Sequence, residues 1–180
     1  MEQVIVNHEK RSDIPSLRAY LEEHPSLFLD GEHHTIIFRN AGGLFKVSEG
    51  VITVFPEITD QQLVKKLRKL AEFPLESQLR QLAKAFRLRV ASVRIRDQKS
   101  RWGSCSSGGK ISLNWRLILM PPGLQRHIML HELAHLIHPN HSSQFWSLLE
   151  NWDSDFLENK SLLRKKGKVW IVLGRANPTP

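Results

Sequence analysis

PPGLQRHIMLHELAHLIHPNHSSQFW, residues 121–146, decides how the chain is read. At its centre stands His131-Glu132-Leu133-Ala134-His135. Residues four apart on a helix lie about 40° apart around the axis, so His131 and His135 share a face one turn apart. Two imidazoles placed so can hold one Zn²⁺ at about 2.0–2.1 Å each. Glu132 sits beside them, close enough to take a proton from a metal-bound water without being a ligand itself. Pro121-Pro122-Gly123 predicts a helix start, and Pro139 forbids continuation past His138. Met129, Leu130, Leu133, Leu136 and Ile137 project roughly opposite the histidines, so one helix face packs while the other opens into a cleft. A catalytic zinc takes three protein ligands. His141, ten residues after His131 and just past the forced helix end, is the best third. His127 and His138 lie on the same stripe and are candidate substrate contacts. Ser142 or Ser143 can cap a further helix over about 143–150. Phe145, Trp146 and Trp152 read as its packing face.

Upstream, residues 90–96 and 110–117 alternate apolar and polar residues, which predicts a hairpin around a structured loop. Residues 59–89 carry leucines at three- and four-residue spacing, a helix that Pro74 should break or kink. Residues 61–101 hold 12 Lys and Arg against 3 Asp and Glu, a net of +9, so the +8 of the whole chain is concentrated there. Residues 34–38, 44–47 and 51–55 read as a strand meander with turns at Gly42-Gly43 and Glu49-Gly50. The last residues, Ala176 to Pro180, read as frayed. The expected fold class is α+β. Residues 1–58 form a β-rich segment of unassigned role. Residues 59–175 form the metal-helix domain, with a small antiparallel sheet packed on the metal-binding helix.

Across 180 residues, 41% hydrophobic and 24% charged is a globular composition, which argues against extended disorder. No apolar run reaches the roughly 20 residues of a membrane span. The single cysteine, Cys105, excludes an internal disulfide. With no secretion-signal pattern at Met1-Glu2-Gln3-Val4, this points to a cytoplasmic protein. A net positive charge suits acidic partners, including DNA or nucleotides.

Residues 99–106 (KSRWGSCS), 113–117 (LNWRL), Pro121-Pro122, 131–136 (HELAHL), Asn140-His141-Ser142 and Phe145-Trp146 stand in an order and spacing that resemble the YgjP-like metallopeptidase domain, a relative of the SprT-like zincins. The resemblance covers roughly residues 60–167. It implies a minimal zincin-like fold, one zinc per chain on His131, His135 and His141, and Glu132 as general base. It also implies an intracellular bacterial or archaeal setting and a peptide or protein substrate. Arg101 then either binds a substrate anion at the cleft mouth or pairs with a core carboxylate. Trp102 reads as packing, Gly103 as a tight turn, and Cys105 as a small buried residue. In zincins a strand edge beside the metal helix pairs with an extended substrate, which would place Asn114 and Arg116 at the cleft.

Three functions compete on the sequence. The first is a zinc peptidase. The second is a phosphoanhydride hydrolase such as a nucleotide pyrophosphatase, with the +9 segment neutralising phosphates. The third is a nucleic-acid-associated protein with a structural metal site. No Gly-rich phosphate loop supports the second. Three imidazoles could also hold iron, cobalt or nickel. Oligomeric state is not legible.

Overall fold

Leu63, Leu67, Ala71, Leu75, Leu79 and Ala83 recur every four residues, and all six are buried. They form one ridge of a 26-residue helix, Asp60–Ala85, the longest element of a computed structural model that describes residues 15–43 and 45–175. Calling this helix α2, its start is fixed by a capping box. The Thr59 hydroxyl accepts from the Gln62 N–H, and the Gln62 side chain accepts from the Thr59 N–H. The break expected at Pro74 does not occur. Proline at that position forfeits the bond to the Leu70 carbonyl, a cost of about 3 kcal/mol. Four buried leucines in the same ridge, each worth about 1.5–3 kcal/mol, outweigh it.

The N-terminal part opens with α1, Leu17–Glu23, and a four-stranded sheet of β1 (Ser26–Leu29), β2 (Glu32–Phe38), β3 (Phe45–Ser48) and β4 (Val51–Val54). Two tight hairpins build it. Their turns, Asp30-Gly31 and Glu49-Gly50, take positive φ at both central positions, as two-residue hairpin turns require. The strand order is β1-β2-β4-β3, with β4 parallel to β2, so the predicted meander is corrected. Chemistry explains the order. Ile52 and Val54 of β4 are buried, whereas Lys46, Val47 and Ser48 of β3 are exposed and suit an edge. Helix α1 and strand β1 are not among the elements that the sequence patterns predict. Leu44, Met1 to Val4 and Ala176 to Pro180 lie outside the described residues.

The second sheet has the order β5 (Ser92–Arg96), β7 (Lys110–Asn114), β6 (Gly103–Cys105). β5 runs parallel to β7, and only β6 is antiparallel to it. The predicted hairpin is therefore wrong in pairing, and the sheet is mixed within an α+β fold. The segment joining the two predicted strands forms its own strand, which reverses the chain before β7 begins. After Asn114 the alternation ends in a fully buried 3-10 turn, Trp115–Leu119. Helix α2 packs on β5 and on this turn. Then follow α3 (Pro122–Ala134), α4 (Ser143–Trp152) and α5 (Phe156–Trp170). α5 has no counterpart among the expected elements; the Trp170 indole donates to the Tyr20 hydroxyl at 2.7 Å and ties it to α1. One buried cluster holds residues of both sheets, α2 and α3, and a second, of Leu130, Ala134, Phe145, Leu149 and Phe156, joins α3, α4 and α5. Among the described residues no helix is long and apolar enough to cross a membrane.

Candidate metal centre

Helix α3 delivers His131 and Glu132 in its last turn and His135 as its C-cap. It ends four residues earlier than the sequence suggests. Leu136, Ile137 and His138 close a tight turn back onto Leu133 and Ala134. Ile137 is thereby turned out, 45% exposed, instead of joining the packed face. Pro139 prevents further helix. Ser142 then caps α4 by accepting the Phe145 N–H at 3.3 Å.

This reversal folds His141 back over α3. Its Nε2 lies 3.0 Å from Nε2 of His131. One ligating atom from each of His131, His135 and His141 falls within 4.8 Å of the others. Two nitrogens on a tetrahedral zinc stand roughly 3.4 Å apart, so the observed separations bracket what one such cation needs. His135 Nδ1 lies 3.2 Å from the His138 carbonyl, and donating there leaves Nε2 for a metal. His138 thus serves through its backbone. Burial and the neighbouring imidazoles push His131 down to about 3, which keeps its lone pair free of a proton. The three rings share a floor. Fully buried Phe145 lies 4.9, 4.6 and 4.7 Å, centroid to centroid, from His131, His135 and His141. Trp146 stacks on His141 at 5.3 Å. Both aromatics, expected only to pack the helix, also line the histidine group; their spacing of four and five residues from His141 is the signal that carries this. The donor set fits zinc.

The family model described as YgjP-like, metallopeptidase domain, matches residues 2–166. The chain belongs to that family. The match takes in the N-terminal sheet as well as the metal centre, further than the motifs alone reached. Among solved structures, the crystal structure of the metallopeptidase zymogen of Pyrococcus abyssi abylysin is similar at 26% identity. That similarity covers 49% of this chain and 91% of that one, with a TM-score of 0.41. No curated protein matches the sequence.

In this YgjP-like chain, Glu132 is only 5% exposed, and burial pushes its carboxyl up to about 8 against an opposing pull from Arg101. Gly103 makes room for it. A Cβ on Gly103 would lie 2.6 Å from both Cγ and Cδ of Glu132. Gly103 is therefore a strand residue of β6 that lets a carboxylate approach, not the expected turn. Arg101 is exposed and makes no ion pair within 4 Å among the described residues; its charge acts at longer range, as a pull on buried Glu132. Trp102 packs against the core as expected. Cys105 is half-buried, and burial and Glu132 push its thiol up to about 11.

Asn114 and Arg116 are not at the cleft. Asn114 ends β7, the central strand with a partner on each side, Arg116 lies in the buried 3-10 turn after it, and both side chains are fully buried. Asn114 Nδ2 donates to the carbonyls of Gln98 and Arg101 at 2.9 and 3.0 Å, which fixes the loop carrying Arg101. Arg116 donates to Asp97 and, through Nε at 2.7 Å, to the Leu173 carbonyl. The strand beside α3 is β6, whose outer edge has no strand partner among the described residues. His127 is buried one turn before His131, with Nδ1 2.6 Å from Asp153 Oδ2. It stands outside the metal group.

Proposed function

We propose that the chain is a zinc-dependent peptidase, with one zinc per chain held by His131, His135 and His141 and with Glu132 as general base. The convergence of three imidazoles over Phe145, with a sequestered carboxylate on the same helix end, carries this reading. When bound, zinc supplies Lewis acidity, which polarises a carbonyl and brings the pKa of water toward about 7.

The chain's own residues do the rest. Glu132 removes a proton from the attacking water and returns it to the departing amine nitrogen. With no metal bound, burial pushes this carboxyl up to about 8; a cation on the three imidazoles would draw it back toward the ionised form that a base needs. Gly103 keeps that carboxylate close to β6. The outer edge of β6 offers backbone N–H and C=O groups to an extended peptide, and such pairing lays the scissile bond beside α3. His127 is sealed against Asp153 and His138 acts through its carbonyl, so exposed Arg101 is the cation best placed to meet developing negative charge. A cytoplasmic setting belongs to the same reading.

Nothing in the family or the site favours nucleotides or DNA. Part of the basic segment is occupied in pairs, Lys69 with Glu72, Arg80 with Glu76 and Arg68 with Asp97. Casein digestion by purified protein, stripped with chelator and titrated with Zn²⁺, tests the proposal. Activity should vanish on stripping and return at one equivalent. Digestion that persists in the stripped protein overturns it.

A further inference from the structure

Beyond the imidazoles, α4 and α5 bring together three side chains that the hydrolytic step does not use. Trp146 is half-buried and stacks on His141 with its ring inclined by 25°. Phe156, at the start of α5, lies 6.2 Å from Trp146, centroid to centroid. Lys160, one turn later, sets its ammonium 5.0 Å above the Trp146 ring and 5.6 Å above the Phe156 ring. Lys160 is exposed and forms no ion pair within 4 Å among the described residues.

The placement is built from behind. Buried Asp153, between α4 and α5, accepts from His127 Nδ1, from Asn159 Nδ2 at 3.2 Å and from the Asp155 N–H at 3.3 Å. Those bonds lock the first turn of α5 to α3. They explain why the buried His127–Asp153 pair exists although neither residue joins the metal group. Phe156 packs against His127 at 5.8 Å. An ammonium laid on two aromatic faces is pre-positioned by their quadrupoles and keeps its outer hemisphere for an anion.

We propose that Trp146, Phe156 and Lys160 form a substrate subsite that selects a carboxylate close to the scissile bond; this deepens the peptidase reading and rests on it. Lys160 is one ring away from His141. An extended peptide advances about 3.4 Å per residue, so the carboxylate sits within about three residues of the bond. Buried Phe156 seats Lys160 from below, and the half-buried Trp146 ring takes the aliphatic stem or backbone beside the carboxylate. The carboxylate can be an Asp or Glu side chain or the free C-terminus of the peptide, and these two sources separate by experiment.

The test uses zinc-loaded Glu132→Gln, which binds without turnover, and pools of N-acetylated octapeptides randomised except at one position. That position is fixed as Glu or as Gln and scanned along the peptide, and further neutral pools end in a free or an amidated C-terminus. Binding is read by fluorescence competition. The expected result is at least fivefold tighter binding of one carboxylate source than of its neutral counterpart. The preference should disappear in Glu132→Gln/Lys160→Ala and invert toward Lys- or Arg-bearing peptides in Glu132→Gln/Lys160→Glu, with zinc content unchanged. Equal binding of charged and neutral pools, a preference that survives Lys160→Ala, or no binding of any pool overturns the subsite. Cleavage by the wild type is scored separately on the same pools. Selective binding without cleavage rejects the peptidase reading and leaves the subsite, and unselective cleavage does the reverse.

Discussion

Gly103→Ala probes the closest approach in the centre. The new methyl would lie 2.6 Å from Cγ and Cδ of Glu132, against an ordinary carbon–carbon contact of about 3.5–4.0 Å. About 1 Å of movement must come from somewhere. β6 cannot supply it, because Gly103 pairs with Leu113, which is fully buried. Helix α3 cannot either, since Leu130 and Leu133, on both sides of Glu132, are fully buried. The carboxylate therefore shifts. A displacement of about 1 Å costs about 10²-fold in turnover, and the overpacking costs about 1–3 kcal/mol of stability. Urea unfolding and casein hydrolysis on zinc-loaded protein measure both, with zinc content held as a control that should not change. In a Glu132→Ala background the methyl has room, so its stability cost should fall by at least about 1 kcal/mol. Activity within threefold of wild type, or an equal cost in both backgrounds, would show that Gly103 serves the backbone and not Glu132.

Further expectations concern the ligands, the long helix and pH. Removing the His141 ring in His141→Ala should weaken zinc binding by about 100-fold or more, whereas His138→Ala, which keeps the carbonyl that orients His135, should leave it within a few-fold; competition with a chromophoric chelator reads both. Pro74→Ala restores a helical N–H inside α2 and should raise stability by about 1–3 kcal/mol in urea unfolding. The Glu132 carboxyl titrates at about 8 in the fold and near 4.5 when unfolded, so folding favours the protonated acid. The stability that this contributes is complete below pH 4.5 and is lost as pH rises through 8. Metal-free Glu132→Gln should therefore exceed metal-free wild type by on the order of 3 kcal/mol at pH 7, and the two should converge near pH 4.5 in thermal melts.

The convergence of the candidate metal ligands was legible because its signal is local. His131, Glu132 and His135 belong to one helical turn, and Pro139 announces the reversal that returns His141. What escaped depends on non-local pairing. Alternation at 90–96 and 110–117 marks two strands but not their direction; a three-residue strand, Gly103–Cys105, intervenes and makes the outer pair parallel. Asn114 is buried at the end of the central strand β7 and Arg116 in the 3-10 turn that follows it, so neither reaches the cleft where alternation alone would set them. Pro74 does not break α2 because its local cost of about 3 kcal/mol is opposed by a buried ridge that forms only against the rest of the fold. The role of Gly103 follows from a contact with a residue 29 positions away, which no local pattern encodes.

Zinc-loaded wild type and Glu132→Gln, assayed side by side for new peptide N-termini and for bound metal, bear most directly on the whole account. One zinc per chain in both proteins, with new N-termini from the wild type alone, is the predicted outcome. Undiminished proteolysis by Glu132→Gln at equal zinc content would contradict it.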